Sequence, residues 1–331
     1  MLRQIVIIEL FSTVINNIND NDILKRIHNN RIKNKKLSEN ILQFLLLEYK
    51  KNYDIRFFNE LLWCTKNQKY IKPAISVFKT QINFNGTYKF CYNSNLEYCL
   101  IQKETKLNNI NYAVLKGLKI CLIGTPVHFI YPYFIFKKHG IEVEIINISY
   151  HKNLISNFIF NNWILFNFYK ILFKKDKYFK YNIRNKKQLQ NLILPKKYDI
   201  GFHKLSFIIP ESITNQFSGN LINDHWGVLP LFKGRSTINY SKLFGAKLII
   251  TNHLITKEID SGKIICYYKI NEKRIKRDIY LKLGKRIINS ILLLANGSFE
   301  NNIDNKNGIT FYEMHPWLIK YIKRHEHLLK I

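Results

Sequence analysis

Between Lys119 and Ile148 the chain alternates an apolar run, a helix-period segment and a second apolar run, and this restricts the fold more than any other feature. Lys119 to Gly124 (KICLIG) is short and ends on glycine, His128 to His139 places apolar side chains at helical spacing, and Glu142 to Ile148 (EVEIINI) is strand-like again. Extended runs joined through a helix lie parallel in one sheet with helices on its faces, so the spacing predicts an α/β domain. Ligands of such sheets sit beyond the C-terminal strand ends, where loops converge.

Four strand ends therefore matter. The first carries Gly124-Thr125-Pro126, which is no G-x-G-x-x-G fingerprint and predicts no dinucleotide. Asp199 to Leu205 runs into Ser206-Phe207-Ile208-Ile209-Pro210, and Gly219 to Ile222 runs into NDHWGVLPLFKG. Lys247 to Leu254 (KLIITNHL) leads to KEIDSGKII. Asn223 and His225 are two apart, so on an extended segment their side chains point to one side. Asp260 follows Asn223 by 37 residues, at the next strand end (260 − 223). An amide, an imidazole and a carboxylate at neighbouring strand ends make a candidate catalytic set. His128, His203 and His253 have no matched partners in the sequence and read as structural or surface residues. Ile279, Leu283, Ile287, Ile291 and Leu294 fall three or four apart, the core stripe of a closing helix.

At 331 residues the chain has room for two domains. The texture changes near residue 116, which suggests an N-terminal domain over 1–115, an α/β domain over 116–300 and a tail over 301–331. Residues 1–64 are expected to be mostly helical, with an N-cap at Ser38 and apolar residues Ile41, Leu42, Leu45, Leu46 and Tyr49 on one face. The stretch TQINFNGTYKFCYNSNLEYCLIQKE alternates around Asn85-Gly86 and again around Asn93 to Glu97, as two hairpins would. Together these predict a small α+β domain.

The formal net charge of +29 fits a nucleic-acid or membrane-surface partner, but Lys, Asn and Ile are over-used throughout, and composition alone accounts for it. The densest basic run, Lys25 to Lys36, reads equally as a solvated helix face. Five scattered cysteines without a C-x-x-C pair argue against a disulfide framework or structural zinc and fit a reducing compartment. The apolar segment Leu154 to Phe173 carries Asn157, Asn161, Asn162 and Asn167, so a buried helix is expected there rather than a membrane span. No signal peptide is expected in the N-terminal IVIIELF stretch, and the protein is expected to be cytoplasmic.

Three segments, in order, carry a resemblance. IGTPVHFIYPYFIFKKHGIEVEIINI, NDHWGVLPLFKGRS and EIDSGKII are similar to the GTP-x-x-F-x-x-P, N-x-H-x-x-x-L-P-x-[FY]-[RK]-G and D-x-G-x-I-[IL] segments of the folate-dependent formyltransferases. That group includes the methionyl-tRNA, phosphoribosylglycinamide and nucleotide-sugar formyltransferases, and the likeness covers residues 118 to about 296. It implies a Rossmann-like formyltransferase domain with a mostly parallel sheet, and transfer of a formyl group from 10-formyltetrahydrofolate to the primary amine of a small molecule. Asn223 and His225 would donate to the oxygen that gains charge, and Asp260 would orient the imidazole and hold a water that moves the proton. Ser206, Phe207 and Ile208 match the place that receives the pterin and formyl group, with Lys257, Glu258 and Ile259 as the facing wall. Lys233, Gly234 and Arg235 would bind an anionic part of the acceptor, and neither a metal nor a covalent nucleophile is required.

The chain departs from the family at Asp224 and Trp226, where an apolar residue and a proline are usual. The thirty-odd residues after 300 are too few for the β-barrel of methionyl-tRNA formyltransferase, while NGITFYEMHPWL resembles nucleotide-sugar enzymes; a nucleotide-linked amino sugar is therefore the expected acceptor. The alternatives are a methionyl-tRNA formyltransferase-like activity, formyl-folate hydrolysis with water as acceptor, and a basic nucleic-acid-binding protein with a degenerate formyltransferase domain.

Overall fold

The computed structural model describes residues 20–34, 37–64, 68–81, 111–150, 168, 170–173, 177–205, 207–270, 282–298, 305 and 308–325. The expected hairpins, most of the apolar segment 154–173, Ser206 and Ile279 lie outside them. Packing divides the chain into two units, one drawn from residues 1–96, 232–247 and 309–331, the other from 97–231 and 248–308.

In the first unit, α1 (Asp20–Asn34), α2 (Glu39–Asn52), α3 (Ile55–Leu62) and α4 (Gln68–Gln81) follow one another. Helix α2 starts after Ser38, whose side chain makes no capping bond, and buries Leu42, Leu45 and Tyr49. Phe58 stacks on Tyr49 at 5.1 Å and on Phe78 at 5.0 Å, so one aromatic row ties three helices. Residues 25–34 of the basic run lie on α1, where Ile23, Leu24 and Ile27 are buried and Arg31 pairs with buried Glu60 at 2.6 Å. The same unit holds β6 (Phe232–Gly234), α8 (Thr237–Leu243), β9 (Ile309–Phe311) and α10 (Pro316–Arg324), with β6 and β9 paired in parallel.

In the second unit a seven-stranded sheet runs in the order β3-β2-β1-β4-β5-β7-β8. Its strands are β1 (Ile120–Gly124), β2 (Val143–Tyr150), β3 (Tyr178–Ile183), β4 (Ile200–Lys204), β5 (Leu221–His225), β7 (Ile249–Leu254) and β8 (Ile264–Lys269). The first five in that order are parallel, and β7 and β8 are antiparallel to their neighbours, a mostly parallel, Rossmann-like arrangement. All five residues of β1 are buried, as a strand covered on both faces requires.

One face packs on α5 (Ile130–Lys138) and α9 (Leu283–Ala295) through Phe129, Tyr133, Phe136, Leu283, Ile287 and Ile291. The other packs on α6 (Lys186–Gln190) and α7 (Glu211–Thr214) through Leu189, Ile213 and Phe217. Burying each such side chain contributes roughly 1.5–3 kcal/mol. The expected closing helix is α9, with Ile287 and Ile291 buried on its inner side. Gly124 ends β1 at φ +145°, where an added Cβ would come within 2.7 Å of the Lys204 carbonyl, so glycine is what allows β1 and β4 to end side by side.

Candidate active site

Register decides which side chains meet. Parallel pairing sets His203 of β4 beside Asn223 of β5, and antiparallel pairing sets Asn223 opposite His253 of β7. Cross-strand neighbours leave a sheet on the same face, so His203, Asn223 and His253 form a row. His225 lies two residues beyond Asn223 and also points to that face.

Asp260 reaches the row from the loop after β7. It adopts a left-handed φ of +49°, and the buried side chain of Asn305 holds this bend by donating to the carbonyls of Asp260 (2.9 Å) and Gly262 (2.6 Å). Gly262 passes so close to the Leu254 carbonyl oxygen that no side chain fits there, while Leu254 N–H donates to the Lys263 carbonyl at 2.9 Å. The spacing Asp-x-Gly is therefore a loop closed tightly on the strand it leaves.

This closure brings the three sequence-identified residues together. His225 Nδ1 lies 3.2 Å from Asp260 Oδ2, and Asn223 Nδ2 lies 3.4 Å from Asp260 Oδ1. Thr251 holds the chain beyond His225, its hydroxyl donating to the Gly227 carbonyl (2.7 Å) and accepting from Leu229 N–H (3.2 Å). The Leu229–Pro230 bond is cis.

Two histidines that the sequence left without partners, His203 and His253, belong to the same row, and both are buried rather than on the surface. His253 Nδ1 donates to the Leu254 carbonyl at 2.8 Å, which leaves Nε2 to accept from Asn223 Nδ2 at 3.1 Å and sets it 3.4 Å from Asp260 Oδ1. His203 is buried, and burial, with Lys204 and His253 nearby, pushes its imidazole down to about 3, so it is neutral at ordinary pH. The available signal was a histidine inside each apolar run, GFHKL and IITNHL. Neither run says which strand lies beside it.

Asp224 points to the opposite face. Its carboxylate pairs with Lys204 Nζ (2.7 Å) and with Arg286 of α9 (3.2 and 3.3 Å), and accepts from Trp226 Nε1 (3.1 Å) and Asn252 Nδ2 (3.4 Å). Burial alone would push this carboxyl up, but Lys204 and Arg286 outweigh it and hold it well below the usual range. Lys204 Nζ also lies 4.3 Å from the centre of the Trp226 ring. Both departures from the family pattern thus serve one buried ionic network behind the row.

The remaining expected site residues are placed as follows. Phe207 is half-buried and Ile208 exposed in the loop after β4. Lys257, Glu258 and Ile259 are exposed in the loop that leads to Asp260, shaped by bonds from Thr256 Oγ1 to the Glu258 carbonyl (3.2 Å) and Ser261 Oγ to the Ile259 carbonyl (3.1 Å). Lys233, Gly234 and Arg235 fall in the first unit: Lys233 is buried in β6, Gly234 pairs with Phe311, and the exposed Arg235 lies 3.6 Å from Glu313. Among the described residues no group of three or more His, Cys, Asp and Glu is arranged to hold a metal ion, and no helix is long and apolar enough to cross a membrane.

No protein-family model matches the chain. Among curated proteins, it is 46% identical over 50 residues to formyltetrahydrofolate deformylase 2, mitochondrial, of Arabidopsis thaliana, a match covering 15% of each chain. It is 31% identical over 137 residues to the bifunctional polymyxin resistance protein ArnA of Wigglesworthia glossinidia brevipalpis, covering 40% of this chain and 21% of that protein. The chain thus spans about a fifth or less of the length of these relatives. Among solved structures, a 4-N formyltransferase from Francisella tularensis is 18% identical with a TM-score of 0.42, covering 59% of this chain and 76% of its own. A methionyl-tRNA formyltransferase from Clostridium thermocellum is 18% identical with a TM-score of 0.37, covering 60% and 74%. In its ordered motifs and its curated matches, this chain is similar to the folate-dependent formyltransferases.

Proposed function

We propose that the protein moves a formyl group from 10-formyltetrahydrofolate to the primary amine of a small molecule, with nucleotide-linked amino sugars as the acceptor class to test first. Support comes above all from the meeting of Asn223, His225 and Asp260 within 3.2 to 3.4 Å at the ends of β5 and β7. The same face carries a buried His203 Nε2 without a hydrogen-bond partner among the described residues, which suits a ligand with a carbonyl acceptor. Phe207, Ile208 and the loop Lys257 to Ile259 are the residues proposed to hold the folate.

The donor supplies a one-carbon group at the formate oxidation level, as an N-formyl amide, on a nitrogen that can leave as an amine. His225, paired with Asp260, donates to the oxygen on which negative charge develops, together with the Asn223 amide. Removing one such donor typically costs roughly 3–4 kcal/mol of barrier. Asp260 accepts from the imidazole and holds the water that takes the proton from the attacking amine and returns it to the departing nitrogen.

The test is release of tetrahydrofolate by the purified chain given 10-formyltetrahydrofolate and a panel of amino sugars. Amine-dependent release that is lost in Asp260→Ala fits the proposal; full turnover by that variant contradicts it. The match to a formyltetrahydrofolate deformylase favours a second reading, in which water is the acceptor. Release that is equally fast without any amine selects it.

A further inference from the structure

In the row His203, Asn223, His253, the last two are bonded to each other and His203 is not. His203 Nδ1 accepts from Leu205 N–H at 3.4 Å, which puts the ring hydrogen on Nε2. That Nε2 is buried with no hydrogen-bond partner among the described residues, on a side chain only 5% exposed. Buried N–H donors are almost always paired, and an orphan in an apolar surrounding is costly. One side of the ring is apolar: Ile123 flanks His203 in register on β1, and Ile209 and Phe217 belong to the cluster covering that face. Asn223 donates through its amide nitrogen to His253 Nε2 and Asp260 Oδ1, and its carbonyl oxygen makes no hydrogen bond to His203 Nε2. Among the described residues none supplies the acceptor that would complete the row.

We propose that His203 Nε2–H donates a hydrogen bond to a neutral acceptor of the bound one-carbon donor, either its formyl carbonyl or the amide carbonyl of its fused ring, a role that rests on the formyltransferase reading. A neutral donor suits a neutral carbonyl, and because the imidazole stays uncharged it binds without exchanging a proton. The loop that follows β4 carries Phe207 and Ile208, the residues proposed to hold the folate.

The experiment is calorimetric titration of the full chain with 10-formyl-5,8-dideazafolate and with its deformylated parent, for wild type, His203→Leu and His203→Gln. Thermal unfolding of each ligand-free protein accompanies it. His203→Leu is expected to bind about tenfold more weakly while melting no lower than wild type, because an unpartnered donor has been replaced by methyl groups. His203→Gln keeps an N–H and is expected to recover part of the affinity. A loss confined to the formylated ligand assigns the acceptor to the formyl carbonyl, and an equal loss on both assigns it to the ring. A structural role alone would lower the melting temperature and leave affinity untouched; that result, or equal losses in the Leu and Gln variants, overturns the proposal. Should His203→Leu fail to fold, His203→Phe, which fills the ring volume without a donor, carries the comparison. If wild type binds neither ligand, the formyltransferase reading fails first, and the role of His203 with it.

Discussion

Asn223 and His253 face each other across antiparallel strands, amide nitrogen to ring nitrogen at 3.1 Å. The contact fixes more than a distance. Because His253 Nδ1 is committed to the Leu254 carbonyl, its Nε2 can only accept while the ring is neutral, and that orients the Asn223 amide with nitrogen toward His253. The second amide hydrogen points to Asp260 at 3.4 Å, the longer and weaker of the two bonds. In the proposed reaction, that hydrogen is the one Asn223 would redirect to the developing oxyanion with least loss.

His253→Phe removes the acceptor that orients this amide and leaves a half-buried donor unpaired. Turnover is expected to fall by roughly 10- to 100-fold with a much smaller change in KM, matching the ~1–3 kcal/mol attached to such a group. Steady-state kinetics with saturating acceptor would read the split, and an effect on KM alone would show that His253 does not orient Asn223.

Asp224→Asn keeps the shape of a fully buried side chain but removes the one negative charge shared by Lys204 and Arg286. Breaking such a pair typically costs about 3–5 kcal/mol, which urea unfolding at pH 7 would register. The Asp224 carboxyl is held below its unfolded value of 3.8, so its stabilising effect is full above that pH and fades as acid is added below it. The gap between wild type and variant should therefore narrow below about pH 4. A gap independent of pH would mean that the cost comes from packing rather than charge.

His203 gives the opposite kind of titration signal. Unfolded, an imidazole takes up its proton near 6.5, whereas the fold resists protonation down to about 3. Between those values the unfolded chain binds more protons, so stability falls as pH falls, by at most about 1.4 kcal/mol per pH unit. The difference in unfolding free energy between wild type and His203→Leu, measured from pH 7 to 4, should carry this slope, because every other titrating group is common to both. A flat difference would mean that the fold does not resist protonation of His203, which then takes up its proton equally in the folded and unfolded chains.

Much of this arrangement could be read from sequence, for physical reasons. Strands covered on both faces are continuous apolar runs, which is why β1, β2, β4 and β7 stand out, and Asn223, His225 and Asp260 sit where those runs stop. Register could not be read. His253 and His203 join the site only because β7 runs antiparallel to β5 while β4 runs parallel to it, and neither direction is written in IITNHL or GFHKL. The partners of Asp224 were hidden for a related reason: Arg286 sits beside Ile287 in an apolar helix, 62 residues from the carboxylate it reaches. Asn305, which holds the Asp260 bend, lies in a segment without periodicity and gave no signal at all.

A last prediction concerns the first unit, where Asn59 of α3 uses both ends of its amide on a segment more than 250 residues away in sequence. Its Nδ2 donates to the Glu313 carbonyl at 3.1 Å, and its Oδ1 accepts from His315 N–H at 2.7 Å. The residue is only 1% exposed, so its amide is out of water while its partners are partly solvated, and His315 in turn caps α10 by accepting from Trp317 N–H at 3.1 Å. One side chain therefore sets the entry of a helix whose Leu318 and Ile322 are buried. Asn59→Ala is expected to cost about 2 kcal/mol and to loosen that helix start before the rest of the unit unfolds. Limited proteolysis should then cut between residues 311 and 317 faster in the variant than in wild type, while Asn59→Asp, which keeps the acceptor for His315 N–H, should fall between the two. Equal cleavage in all three proteins would mean that α10 is held by its apolar face alone.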